Sequence, residues 1–489
     1  MRESGDPEDR SPRSRAELVR GLGLWAAISV NVANMIGTGV FLKTRVMTCN
    51  VGTPLAVLSV WLVGGLLALA GAFAYAEVSA MQPEAGGDYV YLRRAYGRLT
   101  GFLFGWMSFA IVRSGSQAAL GVSVALFCNV ALGGALDVVA LSVGSVHVTW
   151  LTLVALAAVW AVTLVNLRSV ATSGGAALAL TVMKLAAIVV VAVAGLAYVD
   201  GHWTHLTMSS AGASCDGVAA SARGGAAGFG AALLGALWAY DGWSNVAPLA
   251  GEVRNPGRNL PLAFIGGTLL VGTLYLLVNL GYFHVLTPAQ VGSVATSSSL
   301  ATEVMQRFVG SGAVTLLALV LMVSSLGALH ASVLSGGRIP FAMAREGLFF
   351  RALGKVSSHS HVPARSILAG GALASVYALS GTYDTLTDAA MFVSWIFYGL
   401  TVATVFVFRR TMPDAPRPYR ALGYPWVPML FLAVTLFLLG NTFFASPRLA
   451  LFGVLLLVAG LPFYWWWSRQ LPLVTPPSPS SDRAGAAGN

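Results

Sequence analysis

Asn34 to Phe41 read NMIGTGVF, and Leu237 to Asn245 read LWAYDGWSN. Each stretch interrupts an apolar run long enough to cross a bilayer. In the first, Gly37 and Gly39 flank Thr38. A glycine costs about 1 kcal/mol against alanine inside a helix, so the pair weakens the helix at one point. In the second, Asp241 and Gly242 sit mid-span among aromatic residues. An aspartate at the centre of a membrane helix costs about 2.5 to 3.5 kcal/mol on insertion scales, so it requires a partner or a water-filled cavity. The breaks lie about 200 residues apart, at corresponding places in two five-helix halves, the sequence mark of an inverted-repeat transporter.

A broken helix leaves bare N–H groups where one half begins and bare carbonyls where the other half ends. The N–H end favours an anion such as a carboxylate, and the carbonyl end favours a cation such as an ammonium. Together they suit a zwitterion, which makes an α-amino acid the natural ligand class. Glycine also serves plain close packing between membrane helices. The matched positions and the buried aspartate weigh against packing as the whole explanation.

The rest of the chain agrees with a membrane setting. Of 489 residues, 56% are hydrophobic and 10% charged, against about 25% charged in a soluble chain. The mean hydropathy is +0.74. This excludes a cytosolic enzyme, a disordered chain and a secreted disulfide scaffold. Apolar runs predict twelve spanning helices at 21–42, 54–79, 98–132, 148–168, 171–199, 228–249, 260–286, 311–337, 364–381, 385–408, 423–445 and 447–467, each long enough for a bilayer, with 98–132 long enough to need tilt or an end that leaves it. With both termini inside, 22 of the 29 Lys and Arg residues fall on cytoplasmic segments, 5 outside and 2 within spans. Such a split predicts cytoplasmic termini in the cell inner membrane. Residues 1–20 form a charged cytoplasmic segment with no apolar stretch, so the first span acts as its own insertion signal. Residues 474–489 are rich in Pro, Ser and Gly and are expected to be a disordered cytoplasmic tail. The loop 200–227 is small and Gly/Ala-rich, unlike a ligand-binding ectodomain. Cys49 and Cys215 fall in outside segments and can pair, while Cys128 lies in an apolar run.

At this point a family resemblance emerges. IGTGVF is followed by YAEVSAMQPEAGGDYVYLRRAYG (Tyr75–Gly97) and VNLRSV (Val165–Val170). Then come WAYDGWSNVAPLAGEVRNPGRNLP (Trp238–Pro261), GGRIPFAMAREG (Gly336–Gly347), WIFYGL (Trp395–Leu400) and RPYRALGYPWVP (Arg417–Pro428). In that order the chain, from about Gly21 to its last span, resembles the amino acid–polyamine–organocation transporters, in their L-type amino acid transporter branch. The resemblance implies an all-α polytopic membrane protein with a LeuT-like 5+5 inverted repeat and discontinuous helices 1 and 6. The first repeat would be 21–199, the second 228–408, and two peripheral helices would occupy 423–467. It implies that Thr38, Gly39 and Val40 present amides to a substrate carboxylate. Carbonyls around Ile36, Trp238 and Ala239 would take the ammonium, with Gly37 and Gly242 in the breaks. Trp238 would be a gate over the substrate, and Trp395 would lie beside the site. Animal members carry a cysteine between spans 3 and 4 that bonds a heavy chain. Residues 133–147 have none, so a lone bacterial-type subunit without a disulfide-linked partner is expected.

Several ionisable residues fall within spans. Lys184, in span 5, must pair or give up its charge if buried. By resemblance it is a tethered substitute for a sodium ion, near the span 8 hydroxyls Ser324 and Ser325, which leaves a structural cation and a proton-coupling site both open. Asp241 has two readings: a counter-ion for cationic amino acid side chains, or a cap for broken backbone. Arg113 is expected to pair with carbonyls or a helix end, Glu77 with cytoplasmic loop arginines, and His330 to be a packed neutral imidazole. The expected function is sodium-independent amino acid transport, by exchange or by proton symport. A sensor would require a signalling domain, and a membrane enzyme a metal cluster or nucleophile–base pair, neither of which the sequence offers. The expected partners are an amino acid and the lipid bilayer, with no nucleic acid, metal or cofactor.

Overall fold

A computed structural model describes residues 17–37, 39–143, 146–295, 299–380, 383–445 and 447–470. The chain is a bundle of long helices: α1 (Leu24–Met35), α2 (Gly39–Val51), α3 (Pro54–Met81), α4 (Asp88–Tyr96), α5 (Arg98–Met107), α6 (Ser114–Ala131), α7 (Trp150–Val165), α8 (Val170–Leu196), α9 (Gly225–Tyr240), α10 (Pro256–Val285), α11 (Pro288–Gly292), α12 (Leu300–Val309), α13 (Ala313–Gly336), α14 (Arg338–Arg345), α15 (Ala364–Ser380), α16 (Tyr383–Thr411), α17 (Trp426–Ala445), α18 (Pro447–Val458) and α19 (Leu461–Ser468). Among the described residues, eight helices are long and apolar enough to cross a membrane, nine if the bent pair α1 and α2 counts as one span; α7 and α9 are shorter apolar helices. The tenth, sixteenth and similar long helices agree with a polytopic membrane protein, and α15, where the ninth span was expected, has 17 residues.

Capping residues fix where several spans begin. Thr53 accepts from the Ala56 N–H with Pro54 in the first turn, Thr149 accepts from Thr152, and Ser169 accepts from Thr172. Each supplies an acceptor to a helix-start N–H that has none of its own. Packing centres on α10, which runs along α3, α8 and α1, and on α13, which lies against α6 and α8. In the connection after α6, expected as a plain loop, β1 (Val139–Val143) pairs antiparallel with β2 (Val146–Thr149), with Leu141 opposite Val148. Its alternating aliphatic residues suit a strand pair at the rim of the bundle.

Span 1 extends further than its hydropathy predicts. The sequence placed its end near residue 42, yet α2 continues to Val51. Lys43, Thr44, Arg45, Thr48 and Asn50 look like loop residues, but most of them are engaged. Thr44 Oγ1 donates to Asn279 Oδ1 of α10 at 2.5 Å, Arg45 to the Asp216 carbonyl, and Asn50 Nδ2 to the Ala222 carbonyl at 2.6 Å. Cys49 and Cys215 are joined by a disulfide. Cys215 N donates to the Gly292 carbonyl of α11, and Ser214 N to Ser293 Oγ. The α2 end of span 1, the 200–227 loop and α11 therefore form one stapled unit. The 98–132 run also departs from a plain helix: α5 passes into α6 through a π-helical turn at Ser108–Arg113, of a kind frequent at functional sites. Tyr377 of α15 donates its hydroxyl to the Ala110 carbonyl in that turn.

Candidate functional site

The two interrupted spans meet at their interruptions. α1 ends at Met35 with Ile36 as its cap, and α9 ends at Tyr240 with Asp241 extended at ψ 143°. A Cβ on Gly39 would lie 2.6 Å from the Ala239 Cβ, and one on Gly242 would lie 2.7 Å from the Asn34 Cβ. Gly242 also holds φ +107°, a conformation open only to glycine at low cost. These glycines are thus required for each break to touch the other. Asn31 Oδ1 accepts from the Val246 N–H at 2.8 Å and ties α1 to the chain beyond the second break.

The carbonyls freed at the end of α1 are claimed by three other helices. Lys184 of α8, 1% exposed, donates its ammonium to Ala33 O at 2.8 Å and to Ile36 O. Ser324 Oγ of α13 reaches Ile36 O at 3.4 Å. Tyr275 Oη of α10 lies 2.8 Å from Met35 O and 3.1 Å from Ala239 O. A tyrosine hydroxyl carries one proton, so it cannot fully satisfy both. At the start of α2 the first N–H groups have no partner within their own helix.

A cavity of about 240 Å³ opens at this junction. Of the residues singled out from sequence, Gly37, Gly39, Trp238, Ala239, Asp241, Gly242 and Ser325 line it. Ile36 and Val40 are buried beside it, Lys184 and Ser324 stand behind Ile36, and Thr38 lies outside the described residues. Trp395 is not on the lining; it stacks on Phe431 and meets Tyr398 edge-on. Trp238 is 42% exposed, with the Lys43 ammonium 4.8 Å from a ring centroid, a cation–π contact.

Lining residues not assigned to the site from sequence include Asp88, Arg113, Asn245 and Tyr398. Tyr398 donates to Asp241 Oδ1 at 2.8 Å. Arg113, expected to pair with carbonyls or a helix end, instead extends from the π-helical turn into the cavity and donates to Asn245 Oδ1 at 2.5 Å. Asp88 opens α4 in the connection after α3 and takes hydrogen bonds on Oδ1 from Tyr75 Oη and, at 2.9 Å, from Thr401 Oγ1. Burial raises the Asp88 carboxyl above its ordinary value, while these hydroxyls and Arg113 pull it back down. Signals for two of these residues were present. Asp88 follows the Gly-Gly pair of the quoted GGDY run, and Tyr398 lies three residues beyond Trp395, on the same helix face.

Polar locks close the end of the bundle that carries the α4 connection. Leu22 forms a parallel bridge with Val253: its N–H donates to Glu252 O at 2.9 Å, and its carbonyl accepts from Arg254 at 2.8 Å. Glu252 holds Arg338 bidentately at 2.6 and 2.8 Å, both side chains fully buried. Glu77 takes Arg409 at 2.7 Å and Arg417 at 3.5 Å, the arginine contacts expected of it. His330 accepts at Nδ1 from Asn166 and donates from Nε2 to Ser173 O, the pattern of a packed neutral imidazole.

A polytopic helical bundle with two interrupted helices meeting at a cavity defines a membrane permease. A family description, "Amino acid permease", matches residues 22–466, and the chain belongs to that family, whose members are transporters rather than enzymes. Among its relatives, the serine/threonine exchanger SteT of Bacillus subtilis (strain 168) is 31% identical over 93% of this chain and 98% of that protein. The mouse b(0,+)-type amino acid transporter 1 is 29% identical over 92% of this chain and 88% of its own length. The human cystine/glutamate transporter is 24% identical over 93% and 86%. These relatives place the chain with the L-type group and support amino acid transport by a multi-pass membrane protein.

Proposed function

We propose that the protein is a sodium-independent exchanger of neutral and cationic L-amino acids, working by alternating access between two inverted five-helix repeats. The observation that carries this reading is the junction of α1, α2 and α9. It offers N–H groups at the start of α2 that have no partner among the described residues and, across the same cavity, the carbonyls of Met35 and Ala239, which share the single Tyr275 proton, Met35 O also taking the Gly37 N–H. A carboxylate belongs at the first and an ammonium at the second. Gly39, with its neighbours Thr38 and Val40, is the carboxylate side of the site. Trp238 closes over the bound amino acid, and Asp241 faces a cationic side chain.

Sodium independence rests on Lys184. Its ammonium sits between α1, α8 and α13 with its bonds directed at α1 carbonyls, where a free cation would otherwise be needed to hold the half-helix end. The exchanger named for serine and threonine, and relatives named as b(0,+)-type transporters, favour exchange over one-way uptake. The charge asymmetry supports a multi-pass protein of the cell inner membrane with both termini on the cytoplasmic side. The disulfide at the opposite end of the bundle suits the oxidising face. With Cys49 and Cys215 bonded to each other and the free Cys128 inside α6 rather than in the connection after it, the subunit acts without a disulfide-linked heavy chain. Purified protein in liposomes tests the reading. Labelled L-serine should enter vesicles preloaded with amino acid at least tenfold faster than empty ones, with or without sodium. Equal rates in loaded and empty vesicles would refute exchange.

A further inference from the structure

With every group ionised, the described lining of the cavity carries more negative than positive charge. Among the described residues, its lining holds two carboxylates, Asp88 and Asp241, and one guanidinium, Arg113. Lys184 does not restore the balance there, because its ammonium is turned away into the Ala33 and Ile36 carbonyls. A cationic amino acid brings the missing positive charge with it, whereas a neutral zwitterion does not. A net charge in a low-dielectric site is costly unless compensated, so a proton must do for a neutral cargo what the side chain does for a cationic one.

The two carboxylates differ in what they face. Asp241 lies in the break itself, hydrogen-bonded to Tyr398. Asp88 lies on the α4 connection, 4% exposed, and still reaches the cavity lining. Its surroundings provide no ion-pair partner among the described residues. Tyr75 comes from α3, Thr401 and Tyr398 from α16, Tyr91 from its own helix and Arg113 from the π-helical turn, close enough for electrostatic influence. Against Gly86 and Gly87, just before it, pack Ala342 of α14 and Ala247 and Pro248, none of them ionisable. Hydroxyls suit both forms of the carboxyl: they donate to the anion and accept from the acid. The start of α4 favours the anion, and burial favours the acid. These opposed effects keep the group switchable.

We propose that Asp88 is the proton-carrying carboxyl of the exchange cycle, loaded when the cargo is neutral and empty when the cargo is cationic. This rests on the exchanger reading above. The proton is taken from the solution on the side where the neutral amino acid binds and returned to the solution on the side where that amino acid leaves. Import of one arginine against export of one serine therefore exports one proton and moves no net charge.

Proteoliposomes loaded with L-serine and the pH dye pyranine test this directly. External L-arginine should make the interior alkaline, and external L-serine should not. Serine homoexchange should fall as pH is raised on both sides. The Asp88→Asn variant should lose both the pH dependence and the pyranine signal. Thr401→Val removes one hydroxyl from the anionic form, so its serine exchange should persist to a pH about one unit higher. A merely structural Thr401 would change the rate without moving that midpoint. If Asp88→Asn does not fold, the Thr401→Val midpoint decides. The proposal is overturned by wild-type serine exchange that is flat with pH, by arginine exchange without alkalinisation, or by no acceptance of arginine. Absence of serine exchange at every pH would instead overturn the exchanger reading itself.

Discussion

Lys184→Met removes the ammonium that closes the end of α1 while keeping most of the side-chain volume. Two bonds disappear, to Ala33 O and Ile36 O. Hydrogen bonds from a charged donor are worth about 1.5 to 3 kcal/mol each, so the loss is about 3 to 6 kcal/mol. Ser324 at 3.4 Å from Ile36 O is too distant to compensate. If those bonds hold α1 in the closed arrangement, the balance between closed and open α1 moves by roughly two to four powers of ten. The variant should then retain about 1% or less of wild-type serine exchange. A reporter separates this from misfolding. Leu22, fully buried under the Glu252–Arg254 bridge, is replaced by cysteine in a Cys128→Ser background and labelled with a maleimide from the Leu22 side. On the Lys184→Met background, labelling should accelerate at least tenfold. Wild-type exchange together with unchanged labelling would refute the role given to Lys184.

Gly242→Ala should lower thermal stability and abolish exchange, because the new Cβ meets Asn34 at 2.7 Å and φ is +107°; such strained positions cost about 1 to 3 kcal/mol each, and a melting temperature within a degree of wild type would contradict this. Asp241→Asn should weaken L-arginine competition at least tenfold and L-serine competition much less; equal losses would assign Asp241 a capping role. Arg338→Met leaves Glu252 buried without its partner and should destabilise by about 3 to 5 kcal/mol, whereas adding Glu252→Leu should recover most of the loss; thermal unfolding of the single and double variants checks both.

The sequence makes the two breaks legible, because glycine and aspartate in an apolar run have few other uses. It also leads to Lys184, since a lone ammonium in a span must find oxygens. It does not reveal the direction of each side chain. Arg113 reads as structural from sequence because nothing local announces the π-helical turn that rotates it into the cavity. Asp88 reads as loop because its burial is created by α3 and α16, which lie 13 and 313 positions away. Trp395 and Tyr398 share a helix face, and only packing against Phe431 decides which of them meets the cavity. Span 1 was read too short because its polar outer end is satisfied by partners distant in the chain.

The two halves of span 1 are held by bonds of different kinds. α2 is joined covalently to the 200–227 loop, which is hydrogen-bonded to α11, whereas α1 is held by hydrogen bonds alone, among them those of Leu22, Asn31, Lys184 and Tyr275, of a kind that collective motions break and remake in microseconds to milliseconds. One half is therefore framework and the other is hinged. Movement at the α2 end requires the stapled raft to travel as a unit, but movement at the other end asks only that α1 pivot at the break after Met35. The energy barrier for each step accordingly sits in a different part of the molecule. Inward and outward rates can be tuned by separate substitutions, with little cross-talk between them.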